Sequence, residues 1–417
     1  MSRHLGNARI LMYSHDTFGL GHLRRCRTIA HSLVENYRGL NVLIISGATI
    51  AGAFDYRARV DFVKIPSVIK LRNGEYTSMD QHIDLQETMK MRQSIIRHTA
   101  ETFEPDIFII DKEPLGLRGE VEETLTYLKT HGTTLVLGLR DVMDAPHLLE
   151  AEWQRHDTLG KIEQFYDDIW IYGPPDFYDP LTGLDVSAKV RSKMRFVGFL
   201  QRKISGDAQA QAQAHAQAQA SANAPAGAGD GSDYLLVTTG GGGDGASLVE
   251  DVINAYKADP TLTAKAMIVL GPYMPGEQRA AFTEACKEVP QLDVIEFDNR
   301  MEDRIAGAKA VIAMGGYNTY CEILSFDKPA LIVPRTQPRE EQSIRAHRAA
   351  ELGLVDVLAA EEACDSLKFA AAIKALLTRD PPSVSAPGMH LEGLTNITQI
   401  VDEWLQHKGH QLTVAKA

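Results

Sequence analysis

A histidine that follows a glycine turn is the first residue pattern in this sequence that could do chemistry. Gly19 and Gly21 form the turn, which follows the first predicted strand, and His22 comes directly after it. A histidine suits a general base because its pKa lies near neutral pH. Asp111 closes the fourth predicted strand, so both side chains lie at carboxyl ends of parallel strands, where such sheets bind ligands.

His22 also has plainer interpretations. A histidine in the first turn of a helix can cap that helix, or it can bind a diphosphate group. His15 and Asp16 lie near enough in the sequence to compete for the role of base. The pattern therefore indicates a site at this turn without deciding which side chain acts as the base.

A second candidate site lies at a double-glycine turn, Gly315-Gly316, between a buried strand and a helix. Glycine has no Cβ atom, so the backbone can turn sharply and a ligand can approach closely. Asn318 or Thr319 is predicted to cap the helix, whose positive dipole end favours an anion such as phosphate. Glu322, one turn inside, can accept hydrogen bonds from sugar hydroxyls. On its own, the motif also fits a tight turn with a surface glutamate.

A third glycine-rich segment runs from residue 240 to residue 245, after a predicted strand and before a predicted helix. Gly241, Gly242 and Gly243 are predicted to approach phosphate or to contact the other domain. The run lacks the Lys-Ser/Thr pair of a nucleotide hydrolase P-loop. Taken alone, it could also be a simple turn.

Strands that alternate with helices predict an α/β protein with doubly wound parallel sheets. The predicted strands of the first half are residues 9–14, 41–46, 61–65, 106–110, 134–139, 168–172 and 195–199. Those of the second half are residues 234–239, 266–270, 294–297, 311–314, 330–333 and 355–358. Trp153 and Trp170 are predicted to be core residues, whereas Arg345 and Arg348 are predicted to be surface charges.

The length of 417 residues exceeds one ordinary core and predicts two domains. We expect an N-terminal Rossmann-like domain over residues 1–200 and a C-terminal domain over residues 233–390; a family resemblance, given below, implies that the first is an acceptor domain and the second a nucleotide-sugar-binding domain. Residues 201–232 are rich in Ala, Gln and Gly and are predicted to be a flexible linker. Residues 391–417 hold a last amphipathic helix and a tail.

Composition excludes some classes of function. The formal net charge of −12 argues against a nucleic-acid binder, which needs an excess of Lys and Arg. Four widely spaced cysteines without CxxC pairs favour reduced thiols in the cytoplasm, and no metal-ligand cluster is visible. No apolar run reaches the length of a membrane span, so we expect a cytoplasmic protein, with peripheral contact to the inner face of the membrane as the alternative.

A further buried strand, Lys328–Arg335, and a helix start at Pro338–Gln342 follow the double-glycine motif. Together with Gly315–Glu322 they resemble the nucleotide-sugar-binding half of GT-B glycosyltransferases. The nearest branch holds the peptidoglycan N-acetylglucosaminyltransferase and the monogalactosyldiacylglycerol synthases, with a glycosyltransferase family 28 type of C-terminal domain. The resemblance is dense only over residues 310–355. It implies the GT-B fold, two Rossmann-like doubly wound parallel-sheet domains facing a cleft, with the last helix crossing back to the first domain.

The resemblance also implies a donor site. In this branch a helix glutamate binds the ribose hydroxyls, here Glu322, and an acidic residue followed by Gln binds the donor sugar, here Glu341 and Gln342. Arg335 is predicted to neutralise diphosphate. The complete predicted donor-binding set is Gly241, Gly242, Gly243, Phe297, Asn299, Met301, Gly315, Gly316, Asn318, Thr319, Glu322, Arg335, Glu341 and Gln342.

For the acceptor side, the turn before His22 resembles the glycine-glycine-histidine turn of the peptidoglycan enzyme and the catalytic histidine of plant-type glycosyltransferases. Asp111 matches the place where some of those enzymes orient the histidine, so His22 and Asp111 are the predicted catalytic residues. The arginines on this helix form either a solvated face or a contact with an anionic acceptor. The predicted acceptor-binding residues are Gly19, Gly21, Arg24 and Arg25.

The function implied by the resemblance is an inverting, metal-independent glycosyltransferase. It would move a hexose or an amino sugar from a nucleotide-diphosphate sugar, UDP-linked in this branch, to the hydroxyl of a lipid-linked, saccharide or other small acceptor, without a cofactor. A nucleotide-sugar 2-epimerase, a nucleotide-sugar hydrolase and a non-catalytic nucleotide-sugar-binding subunit share the donor half and remain alternatives.

Overall fold

The computed structural model describes residues 8–16, 19–70, 76–78, 83–204, 234–386, 388 and 390–408. The chain divides into two compact units. Unit 1 comprises Met1–Leu200 and His390–Ala417, and unit 2 comprises Gln201–Met389. Most of the predicted linker, residues 205–232, lies outside the described residues.

Unit 1 is built on a parallel sheet of buried apolar strands. Its described strands are β1 Ala8–Ser14, β2 Leu40–Ser46, β3 Val60–Lys64, β4 Val68–Lys70, β5 Tyr76–Ser78, β6 Ile107–Asp111, β7 Thr134–Arg140, β8 Asp168–Tyr172 and β9 Met194–Phe196. In the described residues, seven of them form one sheet in the order β3-β2-β1-β6-β7-β8-β9, while β4 and β5 form an antiparallel pair. Strands β6 and β8 are buried along their whole length, as expected when helices cover both faces.

Helices connect these strands. They are α1 Gly21–Asn36, α2 Leu85–Phe103, α3 Glu122–Thr130, α4 Pro146–Gln154, α5 Thr158–Phe165 and α6 Ala188–Ser192, with 3-10 turns at Ala51–Ala53 and Leu117–Gly119. Helix α1 shows why they pack where they do. Leu23, Cys26, Ala30 and Leu33 recur at helical spacing and are all buried. That apolar face fixes the orientation of the first turn of α1, which carries His22.

Unit 2 repeats the architecture. Its described strands are β10 Tyr234–Thr238, β11 Lys265–Val269, β12 Leu292–Ile295, β13 Ala310–Ala313, β14 Ala330–Ile332 and β15 Asp356–Val357, in the sheet order β12-β11-β10-β13-β14-β15. All pairs in this sheet are parallel. Its described helices are α7 Ala246–Ala258, α8 Gly276–Lys287, α9 Met301–Gly307, α10 Tyr317–Ser325, α11 Glu341–Glu351, α12 Ala360–Ala363, α13 Ser366–Leu376 and α14 Pro382–Ser385.

The last described helix, α15 Gly393–His407, belongs to unit 1. The Trp404 ring stacks on Trp170 with a centroid distance of 5.9 Å. The Asn396 side chain donates a hydrogen bond to the Val197 carbonyl (2.8 Å). Aromatic stacking and this hydrogen bond attach α15 to unit 1.

Each sheet has a point where the strand order reverses, between β1 and β6 in unit 1 and between β10 and β13 in unit 2. Ligands of doubly wound sheets bind beyond the carboxyl ends of the strands at such points. Asp111 ends β6, and the turn before His22 follows β1. Gly315 follows β13, and the glycine run follows β10. The topology therefore places both candidate sites at reversal points.

The predicted fold class is confirmed, and every predicted strand is present. The strand predicted over residues 195–199 ends at Phe196, and Phe199 pairs instead with His390 and Gly393 of the same unit (2.9 and 3.1 Å). The strand predicted over residues 294–297 is Leu292–Ile295, since Asp298 begins a turn in which its carboxylate accepts from the Arg300 amide (2.8 Å). Trp153 and Trp170 are buried, as predicted.

Among the described helices, none combines the length and the apolar character that crossing a bilayer requires.

Candidate active site

His22 and Asp111 meet at the reversal point of unit 1. The preceding turn needs glycine, since Gly19 has a φ of 94°, in the left-handed region. Helix α1 begins at Gly21, which places His22 in its first turn. The His22 Nδ1 atom lies 2.5 Å from the Asp111 Oδ2 atom. A carboxylate that accepts the Nδ1 proton selects the tautomer in which Nε2 carries the lone pair, as a general base requires.

Arg25 completes this pair. Its Nη2 atom donates to Asp111 Oδ2 (2.6 Å) and its Nε atom donates to Asp111 Oδ1 (3.1 Å). Arg25 is only 2% exposed. The prediction that Arg25 lies on an exposed, acceptor-binding face is therefore wrong, because helical rotation turns its side chain toward β6. Arg27, two residues on, packs its guanidinium 4.9 Å from the Phe54 ring centroid instead.

The electrostatics of the pair follow from burial and from Arg25. Burial alone would raise the pKa of Asp111, but the Arg25 guanidinium and the hydrogen bond with His22 hold it well below its ordinary value. Asp111 is therefore an ionised acceptor at any physiological pH. Asp16 differs, because burial raises its pKa. Its carboxylate accepts from the Leu23 amide (3.2 Å) and from the Ser46 hydroxyl (3.2 Å), which makes it a structural residue of the turn.

His15 is the second histidine of the site. Its ring centroid lies 4.1 Å from that of His22. Burial and the neighbouring His22 lower the pKa of His15 well below its ordinary value. Its buried Nδ1 atom has no hydrogen-bond partner among the described residues. His15 is thus a neutral neighbour of His22, whereas the charged partner of His22 is Asp111.

In unit 2, the two glycine segments have the backbone conformations that only glycine adopts easily. Gly242 has a φ of 88°, and a Cβ atom there would lie 2.3 Å from the Leu270 carbonyl oxygen. Gly315 has a φ of 81°, and a Cβ atom there would lie 2.8 Å from the Ile332 side chain. Gly243 is exposed and Gly241 is half-buried. These turns cannot be built with larger residues.

Helix α10 begins differently from the prediction. Gly316 is its N-cap residue, and no side chain caps the helix. Asn318 and Thr319 lie inside the first turn and are buried, so the prediction that one of them caps the helix is wrong. The reason is that Gly316 already has the extended conformation of an N-cap. Backbone amides of the first turn supply the positive end of the helix.

Arg335 ties the loops of the predicted donor site together. Its Nε atom lies 2.7 Å from Asp244 Oδ2, in the glycine run. Its Nη2 atom donates to Glu341 Oε1 (2.7 Å), in the first turn of α11. The Gln342 side-chain NH₂ donates to the Met314 carbonyl (2.9 Å), and its oxygen accepts from Arg335. Glu341 is buried in this network, so Arg335 holds a predicted sugar-binding residue in place.

Arg345 is a site residue that the sequence analysis missed. It was predicted to be a surface charge, but it is fully buried. Its Nη1 atom donates to the Gly315 carbonyl (3.1 Å), and its guanidinium lies 5.7 Å from the Tyr317 ring centroid. The prediction failed because Arg345 lies on the inward face of α11. The helical spacing from Glu341 to Arg345, one turn, was the available signal.

Arg202 is the second missed residue. It lies in the segment predicted to be a flexible linker, yet it is buried in unit 2. Its Nη2 atom donates to Asn318 Oδ1 (2.9 Å), and its Nε atom lies 4.0 Å from Glu322 Oε1. The backbone amide of Arg202 donates to the Ser325 hydroxyl (2.8 Å). The predicted linker therefore begins too early, because these contacts attach Arg202 to α10.

Glu322, the predicted ribose ligand, is fully buried beside Arg202. The predicted nucleobase segment lies after β12. Phe297 is 36% exposed there, while Asn299 and Met301 are half-buried at the start of α9. An exposed phenylalanine at the carboxyl end of a strand offers an apolar face for a planar ring.

Residues 235–383 match the family described as "Glycosyltransferase family 28 C-terminal domain". Among solved structures, a kitacinnamycin glycotransferase superposes with a TM-score of 0.61 at 13% identity, over 96% of this chain and 99% of that chain. MurG of Acinetobacter baumannii superposes with a TM-score of 0.55 at 14% identity, over 96% and 99%. A UDP-GlcNAc 2-epimerase of Neisseria meningitidis does so with a TM-score of 0.57 at 13% identity, over 96% and 100%.

The chain has the GT-B fold. Its resemblance to GT-B glycosyltransferases with a family 28 type of C-terminal domain is confirmed by the match over residues 235–383. No curated protein matches the sequence. The family match supports a glycosyltransferase, whereas the structural neighbours, which include glycosyltransferases and epimerases, define the fold.

Proposed function

We propose that this GT-B protein is an inverting, metal-independent glycosyltransferase that moves a hexose or an amino sugar from a nucleoside-diphosphate sugar to an acceptor hydroxyl. The observation that carries the proposal is the contact of His22 with Asp111 (2.5 Å) in a chain whose other unit matches a glycosyltransferase domain. In this role, His22 Nε2 takes the proton of the acceptor hydroxyl. Asp111 then stabilises the imidazolium that forms.

The donor is assigned to unit 2. The backbone amides at Gly243 and at the first turn of α10 are the groups that would meet the diphosphate. Negative charge builds on that diphosphate as its bond to the sugar breaks. Backbone N–H groups that donate hydrogen bonds to the diphosphate would stabilise this charge without a metal ion. Phe297 offers its exposed ring to the nucleobase. A UDP-linked donor fits the branch to which the sequence is similar.

The acceptor is a lipid-linked, saccharide or other small hydroxyl compound. The turn at Gly19 and Gly21 carries His22 and would lie against this substrate. The burial of Arg25 removes it from the helix face for which a contact with an anionic acceptor was one of the two predictions. Arg24, which is half-buried on the same helix, is the remaining member of the predicted acceptor-binding arginine pair.

A thermal-shift screen of the full chain with UDP-, GDP- and dTDP-sugars tests the donor class. A ligand that binds only the native state stabilises it by about 2.7 kcal/mol at 100 times its Kd, so the true donor should raise Tm. Nucleotide release is then measured with and without acceptor sugars or lipids. Release that depends on acceptor supports transfer. Release without acceptor indicates a hydrolase. Binding without release indicates an epimerase if the recovered nucleotide sugar has an inverted C2 centre, and a non-catalytic subunit if the nucleotide sugar is unchanged.

Replacing Glu322 with glutamine tests the donor site itself. We expect Glu322→Gln to weaken binding of the nucleoside diphosphate by about 1–3 kcal/mol, because the charged acceptor for ribose hydroxyls is lost. Isothermal titration with the nucleotide identified by the screen measures this change. Glu361→Gln, an exposed substitution in the same unit, is the matched control. Equal affinities of Glu322→Gln and the wild type would remove Glu322 from the donor site.

A further inference from the structure

One buried cation in the candidate active site has no role in the function proposed above. Arg25 and His22 lie three residues apart on α1, so both side chains reach the same carboxylate of β6. Arg25 makes two hydrogen bonds to Asp111, of 2.6 and 3.1 Å, and also lies 3.2 Å from His22 Nδ1. Asp111 is 1% exposed. A carboxylate so deeply buried is costly to ionise unless a cation compensates it.

We propose that Arg25 is a positioning residue of the His22–Asp111 pair, one that keeps Asp111 ionised and aimed at His22 Nδ1 and so sets the pH range in which His22 is a free base. The inference rests on the proposed function for its kinetic consequence. Its structural part is that Arg25 balances the charge of Asp111, which accepts the Nδ1 proton of His22, and all three residues lie in unit 1. The bidentate geometry supports this role, since a guanidinium fork fixes both oxygens of a carboxylate in one plane.

The groups around the His22–Asp111 pair determine which cation balances the negative charge of Asp111. Among the described residues, the titratable groups nearest to it and its partners are His22, Arg25 and Cys26 on α1, His15 and Asp16 after β1, and Tyr172 on β8. Lys112, Glu113 and Arg92 act on His15, but Lys112 pairs with Glu113 (2.8 Å) and Arg92 pairs with Glu120 (2.6 Å). His15 is held neutral by burial, which lowers its pKa. Burial likewise raises the pKa of Cys26 and of Tyr172, so both are uncharged at neutral pH. Arg25 is thus a permanent cation in direct contact with both oxygens of Asp111.

The direction of the pH effect follows from counting protons. With Arg25 present, the negative charge of Asp111 is balanced by the guanidinium that donates to both of its oxygens. Without Arg25, either the unbalanced Asp111 charge raises the pKa of His22, or Asp111 itself takes up a proton. Both outcomes make the pair hold one more proton near neutral pH. The acid limb of the activity profile therefore moves to higher pH when Arg25 is lost.

The test compares Arg25→Met with Arg25→Lys and with Arg38→Met, an exposed arginine of the same unit that serves as the charge-matched control. We expect the acid limb of kcat/KM against pH to move up by about one unit or more in Arg25→Met, by less in Arg25→Lys, and not in Arg38→Met. In a chain that already carries Asp111→Asn, adding Arg25→Met should hardly move the acid limb of kcat/KM, because the carboxylate through which Arg25 acts is gone.

An NMR titration of His22 in the full chain, assigned with His22→Gln, separates this inference from the proposed function. An upward shift of the His22 titration in Arg25→Met supports the inference even if no sugar transfer is found. Transfer with both the acid limb and the His22 titration unchanged in folded Arg25→Met overturns it while the function stands. A raised KM for the acceptor without any pH shift would instead make Arg25 a substrate contact. If Arg25→Met does not fold, Arg25→Lys carries the same comparison.

Discussion

Replacing His22 with glutamine is expected to lower the rate of sugar transfer by about 10²- to 10⁴-fold, with little change in donor affinity. Glutamine keeps a polar side chain of similar reach but cannot accept a proton from the acceptor hydroxyl. The donor-binding residues lie in unit 2, so the nucleotide should still bind. Initial rates with saturating donor and acceptor measure kcat, and titration with the nucleoside diphosphate measures donor affinity.

The control for this substitution is His156→Gln, an exposed histidine of unit 1. It should leave kcat within about twofold of the wild type, as surface substitutions usually do. Activity at wild-type level in His22→Gln would show that another group is the base. His15 would then be tested next, since its ring lies 4.1 Å from His22.

Replacing Glu120 with glutamine is expected to lower the free energy of unfolding by about 3–5 kcal/mol. Glu120 is buried and accepts two hydrogen bonds from Arg92, both of 2.6 Å. The Tyr13 hydroxyl also donates to Glu120. An amide at this position directs an NH₂ group at a guanidinium that is itself buried, which leaves the Arg92 charge without its counterion. The same guanidinium donates to the Pro66 carbonyl (2.6 Å), so several loops depend on it.

Calorimetry of the variant should show the unfolding midpoint falling by roughly 6–20 °C, given about 2–4 °C per kcal/mol for a domain of this size. Glu123→Gln, an exposed glutamate on the neighbouring helix, should leave the midpoint unchanged. A midpoint for Glu120→Gln close to that of Glu123→Gln would show that the buried pair contributes nothing net. Burial of an ion pair does not by itself guarantee stability.

Several predictions from the sequence depended on short-range patterns and were confirmed for that reason. The apolar run before Gly315 predicted a buried strand, and β13 is buried throughout. Gly242 and Gly315 were predicted to form turns and have positive φ angles. Strand ends differed from their predicted positions, because the end of a strand such as β12 depends on the neighbouring turn rather than on its own composition.

Charged residues were the main source of error. Arg25 and Arg345 were assigned to an exposed face and to the surface, and both are buried. Arg202 was assigned to a linker, yet it contacts Asn318 and lies near Glu322. An arginine has the same composition and local propensity whether it faces water or a carboxylate, so no pattern in a short window separates the two.

The sequence by itself determined the α/β class, the doubly wound strand pattern and the glycine turns, since periodicity and the need for glycine are properties of neighbouring residues. Only the tertiary structure decided which charges meet. Arg25 and Asp111 are 86 residues apart in the chain, and Arg92 and Glu120 are 28 apart. Such pairs form because the fold brings distant helices, turns and strand ends together and burial makes an unpaired charge costly, and both depend on the whole fold.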